Sequence, residues 1–164
     1  MNELEQYQKR RKYRKLYRKN RRIYRHKKVE LPFLEVWAGK QCTLHCRDCL
    51  HMIPYIKQEK VDIQELIRDC KLIFELCNIE YFSIAGGEPF CNRELYRLLN
   101  YIAGNPSVKD GKIITNGTVM PDERTQEALK NLNGKLEIRV DVYPGQEDKV
   151  TSFLDFLEAE KIRC

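Results

Sequence analysis

From Pro32 onward the sequence alternates between short apolar runs and longer segments whose apolar residues recur at helical spacing. That alternation constrains the fold more than any other feature. Strands joined through a helix run parallel, and a parallel sheet needs crossovers that lay helices against it. Phe33–Trp37, Tyr81–Ala85, Gly111–Thr115 and Leu136–Val142 read as strands. Asp62-Ile-Gln-Glu65 has capping-box form and predicts a helix to about Cys77, with Ile63, Leu66, Ile67, Cys70, Ile73, Phe74 and Cys77 on its apolar face. Asn92 is expected to cap a helix to about Ile102. Pro121 opens another, reaching about Leu132, and Val150–Lys161 forms the last. The expectation is an α/β protein of about four β/α units.

In such folds ligands gather beyond the C-terminal ends of the strands. The unusual residues fall there. Three cysteines follow the first strand, Gly86-Gly87-Glu88-Pro89 the second and Thr115-Asn116-Gly117 the third, while Asp141 lies in the fourth. The cysteines, Cys42, Cys46 and Cys49, form a C-x3-C-x2-C run. Thiolates bind iron–sulfur clusters and zinc tightly, and short spacings let one loop wrap one centre. Three cysteines would leave one iron of a cubane cluster without a protein ligand. The alternatives are a Cys3His zinc site drawing on His45 or His51 and plain buried cysteines. A phosphate-binding loop is excluded, because Gly-Gly-Glu-Pro puts an anion where phosphate would sit and no P-loop lysine follows.

The triad together with Gly86-Gly87-Glu88-Pro89 about forty residues downstream resembles the radical S-adenosylmethionine (radical SAM) superfamily. The resemblance runs from Pro32 to the C-terminus and implies the first two-thirds of a partial parallel (β/α) barrel. It implies that Cys42, Cys46 and Cys49 ligate three irons of a [4Fe–4S] cluster while S-adenosylmethionine chelates the fourth. One electron would then cleave the sulfonium to a 5′-deoxyadenosyl radical that abstracts hydrogen from an unknown substrate. Gly86, Gly87 and Glu88 match the segment that cradles the methionine amino group. Thr115, Asn116 and Asp141 stand where ribose or carboxylate contacts are often placed; Asp141 can equally be an ordinary polar residue at a strand end. An electron donor such as a flavodoxin or ferredoxin is implied as partner. Two departures stand out. Asp48 replaces the aromatic residue common before the third cysteine, and the chain stops at Ile162-Arg163-Cys164, where a fifth strand is expected. On this reading the core is C-terminally incomplete, a fragment or truncated gene product or a domain that another chain completes, and the alternative function is a truncated, non-catalytic cluster-binding remnant.

Charge divides the chain. Residues 1–28 carry thirteen Lys/Arg against Glu3 and Glu5, a net +11, whereas residues 29–164 carry seventeen against twenty-two Asp/Glu, a net −5. Residues 1–30 read as a basic helical arm and 31–164 as the core domain. Tyr13, Leu16, Tyr17 and Tyr24 draw a thin apolar stripe along the arm. Such a helix can dock on the domain, or meet an acidic partner, nucleic acid or an anionic membrane surface. A zinc-bearing nucleic-acid-binding module is the corresponding alternative function. No apolar run approaches the roughly 20 residues of a transmembrane span, and no secretory h-region follows the basic start. The expectation is a soluble, cytoplasmic protein. Seven cysteines, an odd number, suit metal binding in a reducing compartment better than a disulfide framework. Cys70, Cys77 and Trp37 are expected in the core, with Cys91 structural or near the site.

Overall fold

The structure, a computed structural model, describes residues 28–164 together with Arg11. The helix expected over the arm lies outside the described residues. Four parallel strands form one sheet in the order β1-β2-β3-β4: Val29–Gly39, Cys77–Gly86, Val108–Thr115 and Leu136–Val140. Between and after them run α1 (Ile63–Leu76), α2 (Leu95–Ala103), α3 (Glu123–Asn131) and α4 (Glu147–Ala159). This is the α/β arrangement of four β/α units expected from the alternation, and it agrees with the partial barrel that the resemblance implies.

The boundaries differ from expectation for physical reasons. The strand β1 reaches back to Val29, inside the stretch assigned to the arm, because Val29, Glu30 and Leu31 pair in register with Cys77, Asn78 and Ile79. Helix α1 ends at Leu76 and β2 starts at the next residue, so no loop separates them. Asp62 caps α1 as predicted, its carboxylate accepting from the N–H groups of Gln64 and Glu65. Asn92 stands two residues before the N-cap position of α2 and still turns the chain into it, its Oδ1 accepting from the Glu94 N–H at 3.1 Å and its carbonyl from the Leu95 N–H at 2.9 Å. A 3₁₀ turn over Pro89–Cys91 comes first, and α2 begins only at Leu95.

The core lies between the helices and one face of the sheet. Val36, Phe82, Ile84, Ile113 and Ile138 meet Ile63 and Phe74 of α1, the leucines of α2, Leu129 of α3, and Phe153 and Leu157 of α4. Strand alternation sends their neighbours to the opposite face, which carries Phe33, Glu35, Trp37, Ser83, Lys112 and Arg139. Trp37 is therefore not core: it is 38% exposed and sets its ring edge-on to His51 at 5.0 Å. Cys70 is buried, with its thiol pushed up to about 11 by burial, and Cys77 packs half-buried against the core. Both are structural. Past α4 the chain returns toward β4, where the Ile138 N–H donates to the Arg163 carbonyl at 2.8 Å. Among the described residues no helix is long and apolar enough to cross a membrane.

A candidate cluster site at the C-terminal end of the sheet

Between β1 and α1 the chain runs through residues 40–62 with only one 3₁₀ turn, Ile53–Tyr55. So long an irregular segment holds its shape only if tertiary contacts fix it. Asn92 clamps its two ends, its side-chain amide donating to the Ala38 carbonyl at 2.9 Å and the Val61 carbonyl at 3.0 Å. Ile53, 1% exposed, plugs the middle into the interior. On the far side Glu35 accepts from the Ser83 hydroxyl at 3.0 Å and contacts His51 Nε2 at 3.4 Å.

The glycine pair docks against the start of this segment. The Gly87 N–H donates to the Gly39 carbonyl and the Glu88 N–H to the Gln41 carbonyl, at 2.9 and 2.7 Å. Gly86 takes φ +124°, and a Cβ there would sit 2.3 Å from the Gly39 oxygen. At Gly87 a Cβ would lie 2.1 Å from the Gln41 oxygen. Only glycine permits that approach, so the motif holds the backbone leading into Cys42.

Glu88 differs from expectation. Its carboxylate is fully buried and turned toward the β3 loop, where Oε1 accepts from the Thr115 hydroxyl (2.8 Å) and Phe90 N–H (3.1 Å), and Oε2 from the Asn116 N–H (2.9 Å). Burial pushes this carboxyl up, against the pull of the Asn116, Thr115 and Phe90 donors. The Thr115 hydroxyl is committed too, accepting from the Gly117 N–H at 3.0 Å. Asn116 reaches the cysteine segment, its amide donating to Cys42 Sγ at 3.6 Å and Thr43 Oγ1 at 3.2 Å. The side chain of Asp141 stays 44% exposed and pairs with Arg139 at 3.6 Å.

These pieces enclose a cavity of about 540 Å³, within the range of small-molecule sites. All three triad cysteines line it, with Gly86, Gly87, Thr115, Asn116 and Asp141. Of the residues expected to hold the cluster or S-adenosylmethionine, Glu88 alone is missing from the lining; of the two alternative zinc ligands, His51 lines it and His45 does not. Sequence reasoning missed Tyr143, which lines the cavity beside Asp141, and the Asn92 clamp. Cys42 also borders a second cavity, of about 730 Å³, on the side of Cys91, Arg93 and Arg124. There the Cys91 thiol is pushed up to about 11 by burial, with Glu88 and Cys42 adding to the rise. The Cys42 thiol is raised by burial, partly offset by the Leu44 N–H that donates to it.

All three triad cysteines are half-buried and free. Among the described residues no three His, Cys, Asp or Glu side chains converge closely enough for a single metal ion. A multi-iron centre spreads its thiolates more widely than one zinc ion does, and half-buried thiols around one cavity suit it.

Comparison with known proteins agrees. Residues 34–158, about three-quarters of the chain, match the family described as the 4Fe-4S single cluster domain. The chain belongs to that family and to the radical SAM superfamily. GTP 3',8-cyclase of Syntrophomonas wolfei is 26% identical over 114 residues, covering 64% of this chain and 34% of the relative. The same enzyme of Campylobacter jejuni is 28% identical over 134 residues, covering 79% and 41%. The chain thus spans about a third to two-fifths of the length of these curated relatives. The crystal structure of Streptococcus suis SuiB bound to S-adenosylmethionine superposes with a TM-score of 0.51 at 15% identity, covering 87% of this chain and 41% of that one. That likeness bears on the fold.

Proposed function

We propose that this chain binds a [4Fe–4S] cluster through Cys42, Cys46 and Cys49, and S-adenosylmethionine beside it, to initiate radical chemistry on a substrate not yet identified. The observation that carries this reading is that one cavity is lined by the three cysteines, both glycines, Thr115, Asn116 and Asp141. When bound, the cluster would supply one electron to the sulfonium, releasing a 5′-deoxyadenosyl radical that takes hydrogen from the substrate. The chain's own part is positioning. Gly86 and Gly87 form the wall where the methionine end would lie, and Glu88 holds that wall to the β3 loop from behind. The exposed carboxylate of Asp141 is the polar group best placed for an adenosine hydroxyl. Leu44, Leu50 and Ile53 supply apolar lining where Asp48 replaces an aromatic residue. An external donor, a flavodoxin or ferredoxin by chemistry, would provide the electron.

The test is EPR of anaerobically reconstituted, dithionite-reduced protein with and without S-adenosylmethionine. A [4Fe–4S]⁺ signal that changes on adding S-adenosylmethionine is expected. A cluster signal indifferent to it would reject the open-iron reading.

A further inference from the structure

Cys42 stands apart from the other triad cysteines in what its sulfur receives. The Leu44 backbone N–H donates to Sγ at 3.4 Å and the Asn116 side-chain amide at 3.6 Å. Sulfur's large radius makes these ordinary hydrogen-bond lengths. Among the described residues, no hydrogen bond reaches the sulfur of Cys46 or Cys49.

The network fixes which end of the Asn116 amide faces the sulfur. Its Oδ1 accepts from the Thr118 backbone N–H at 3.0 Å and the Thr118 hydroxyl at 2.7 Å. A backbone N–H can only donate, so the atom beside it must be the oxygen. The NH₂ group is thereby turned toward Cys42 and Thr43. The Asn116 backbone is pinned independently by its N–H to Glu88 Oε2 at 2.9 Å, and the residue is only 7% exposed. A donor locked from both sides and aimed at one sulfur is a preorganised dipole.

We propose that Asn116 is a positioning residue that sets the reduction potential of the cluster through an N–H···S hydrogen bond to Cys42. This rests on the assignment of Cys42 as a cluster ligand. A donor to a ligating sulfur stabilises the form with more negative charge, which is the reduced cluster, and so raises the potential. Removing it lowers the potential. The Leu44 donor remains, so the loss is partial: several-fold and at most about tenfold in the reduced-to-oxidised ratio at a fixed potential, ~59 mV for a one-electron couple.

The experiment is an EPR-monitored redox titration of the full chain, anaerobically reconstituted, with iron and sulfide counted for each variant. Asn116→Leu is expected to lower the midpoint. Asn116→Asp, which keeps the acceptor oxygen but replaces the donor with negative charge, should lower it further. Thr43→Val, which removes the other partner of the same amide, should leave the midpoint in place. Equal midpoints in cluster-replete wild type and Asn116 variants would overturn the proposal. So would a Thr43→Val shift as large as that of Asn116→Leu, since packing of the segment would then be the cause. Loss of the cluster from both Asn116 variants would assign the residue to assembly and equally reject tuning. Wild-type protein without iron and sulfide would instead reject the cluster assignment itself, a separate result.

Discussion

The two sides of the cysteine segment are held by opposite means. At Cys42 the supports are buried and polar: Glu88 is fully buried with three donors upon it, Thr115 and Asn116 are almost as enclosed, and the glycine backbone lies directly against Gly39 and Gln41. Around Cys46 and Cys49 the supports are sparse and wetter. They include the Glu35–His51 contact at 3.4 Å, with side chains 28% and 18% exposed, the Trp37 ring edge-on to His51, the Met52 N–H donating to the Cys49 carbonyl at 3.0 Å, and a Tyr55 hydroxyl donating to the Arg47 carbonyl at 3.0 Å from an exposed ring. Leu50 is 90% exposed beside them. Burial makes each unmade hydrogen bond costly on the first side, while water replaces lost partners on the second. The molecule is therefore rigid where its backbone leads into the first cysteine and accommodating where a second ligand would enter.

Four substitutions probe that contrast, the largest effect first. Glu88→Ala strands the Phe90 and Asn116 N–H groups and the Thr115 hydroxyl inside the protein. It should cost about 3–5 kcal/mol in urea unfolding and abolish iron incorporation. Stability within about 1 kcal/mol of wild type would show that the Cys42 side is no more rigid than the other. Asn92→Ala frees both ends of the segment by removing bonds to the Ala38 and Val61 carbonyls. A loss of about 1–3 kcal/mol is expected, with faster proteolysis between residues 40 and 62.

On the wetter side, His51→Ala should cost about 1 kcal/mol, because a 3.4 Å contact to a partly exposed Glu35 carboxylate and one edge-on ring contact with Trp37 contribute little. A penalty equal to that of Asn92→Ala would erase the distinction. Smallest is the effect of Asp62, which caps α1 where the segment ends. Its carboxyl lies below the ordinary 3.8, held down first by the Glu65 N–H and then by that of Gln64. A depressed carboxyl stabilises the fold above pH 3.8 and loses that contribution as pH falls through its lowered value. Acid unfolding of Asp62→Asn should accordingly show a shallower dependence on pH below 3.8, with stability at neutral pH nearly unchanged.

Much of this was legible in the sequence, because the features depend on local order. Strand–helix alternation, the Asp62 cap and the placing of each motif after a strand follow from spacing and turn chemistry. What stayed hidden depends on contacts between distant residues. Nothing local shows that Asn92, whose Oδ1 receives the Glu94 N–H at the start of α2, also reaches Ala38 and Val61 with its amide. Glu88 matches a segment that cradles an amino group, but only the fold shows that its carboxylate is taken by Thr115 and Asn116. Trp37 reads as core because it is aromatic and ends a strand, but its register opposite Ala85 puts it on the face without helices. The two glycines read as room for a ligand, whereas the neighbour that demands them is the chain's own backbone at Gly39 and Gln41.

Whether the triad holds a cluster, with Cys42 as its most firmly supported ligand, is read from iron and labile-sulfide content. Wild type and Cys42→Ala would be reconstituted anaerobically side by side. Wild type is expected to hold iron and sulfide in the ratio of a [4Fe–4S] cluster, and Cys42→Ala to lose nearly all of both. Unchanged iron and sulfide in the variant, or zinc in place of iron in the wild type, would contradict that assignment.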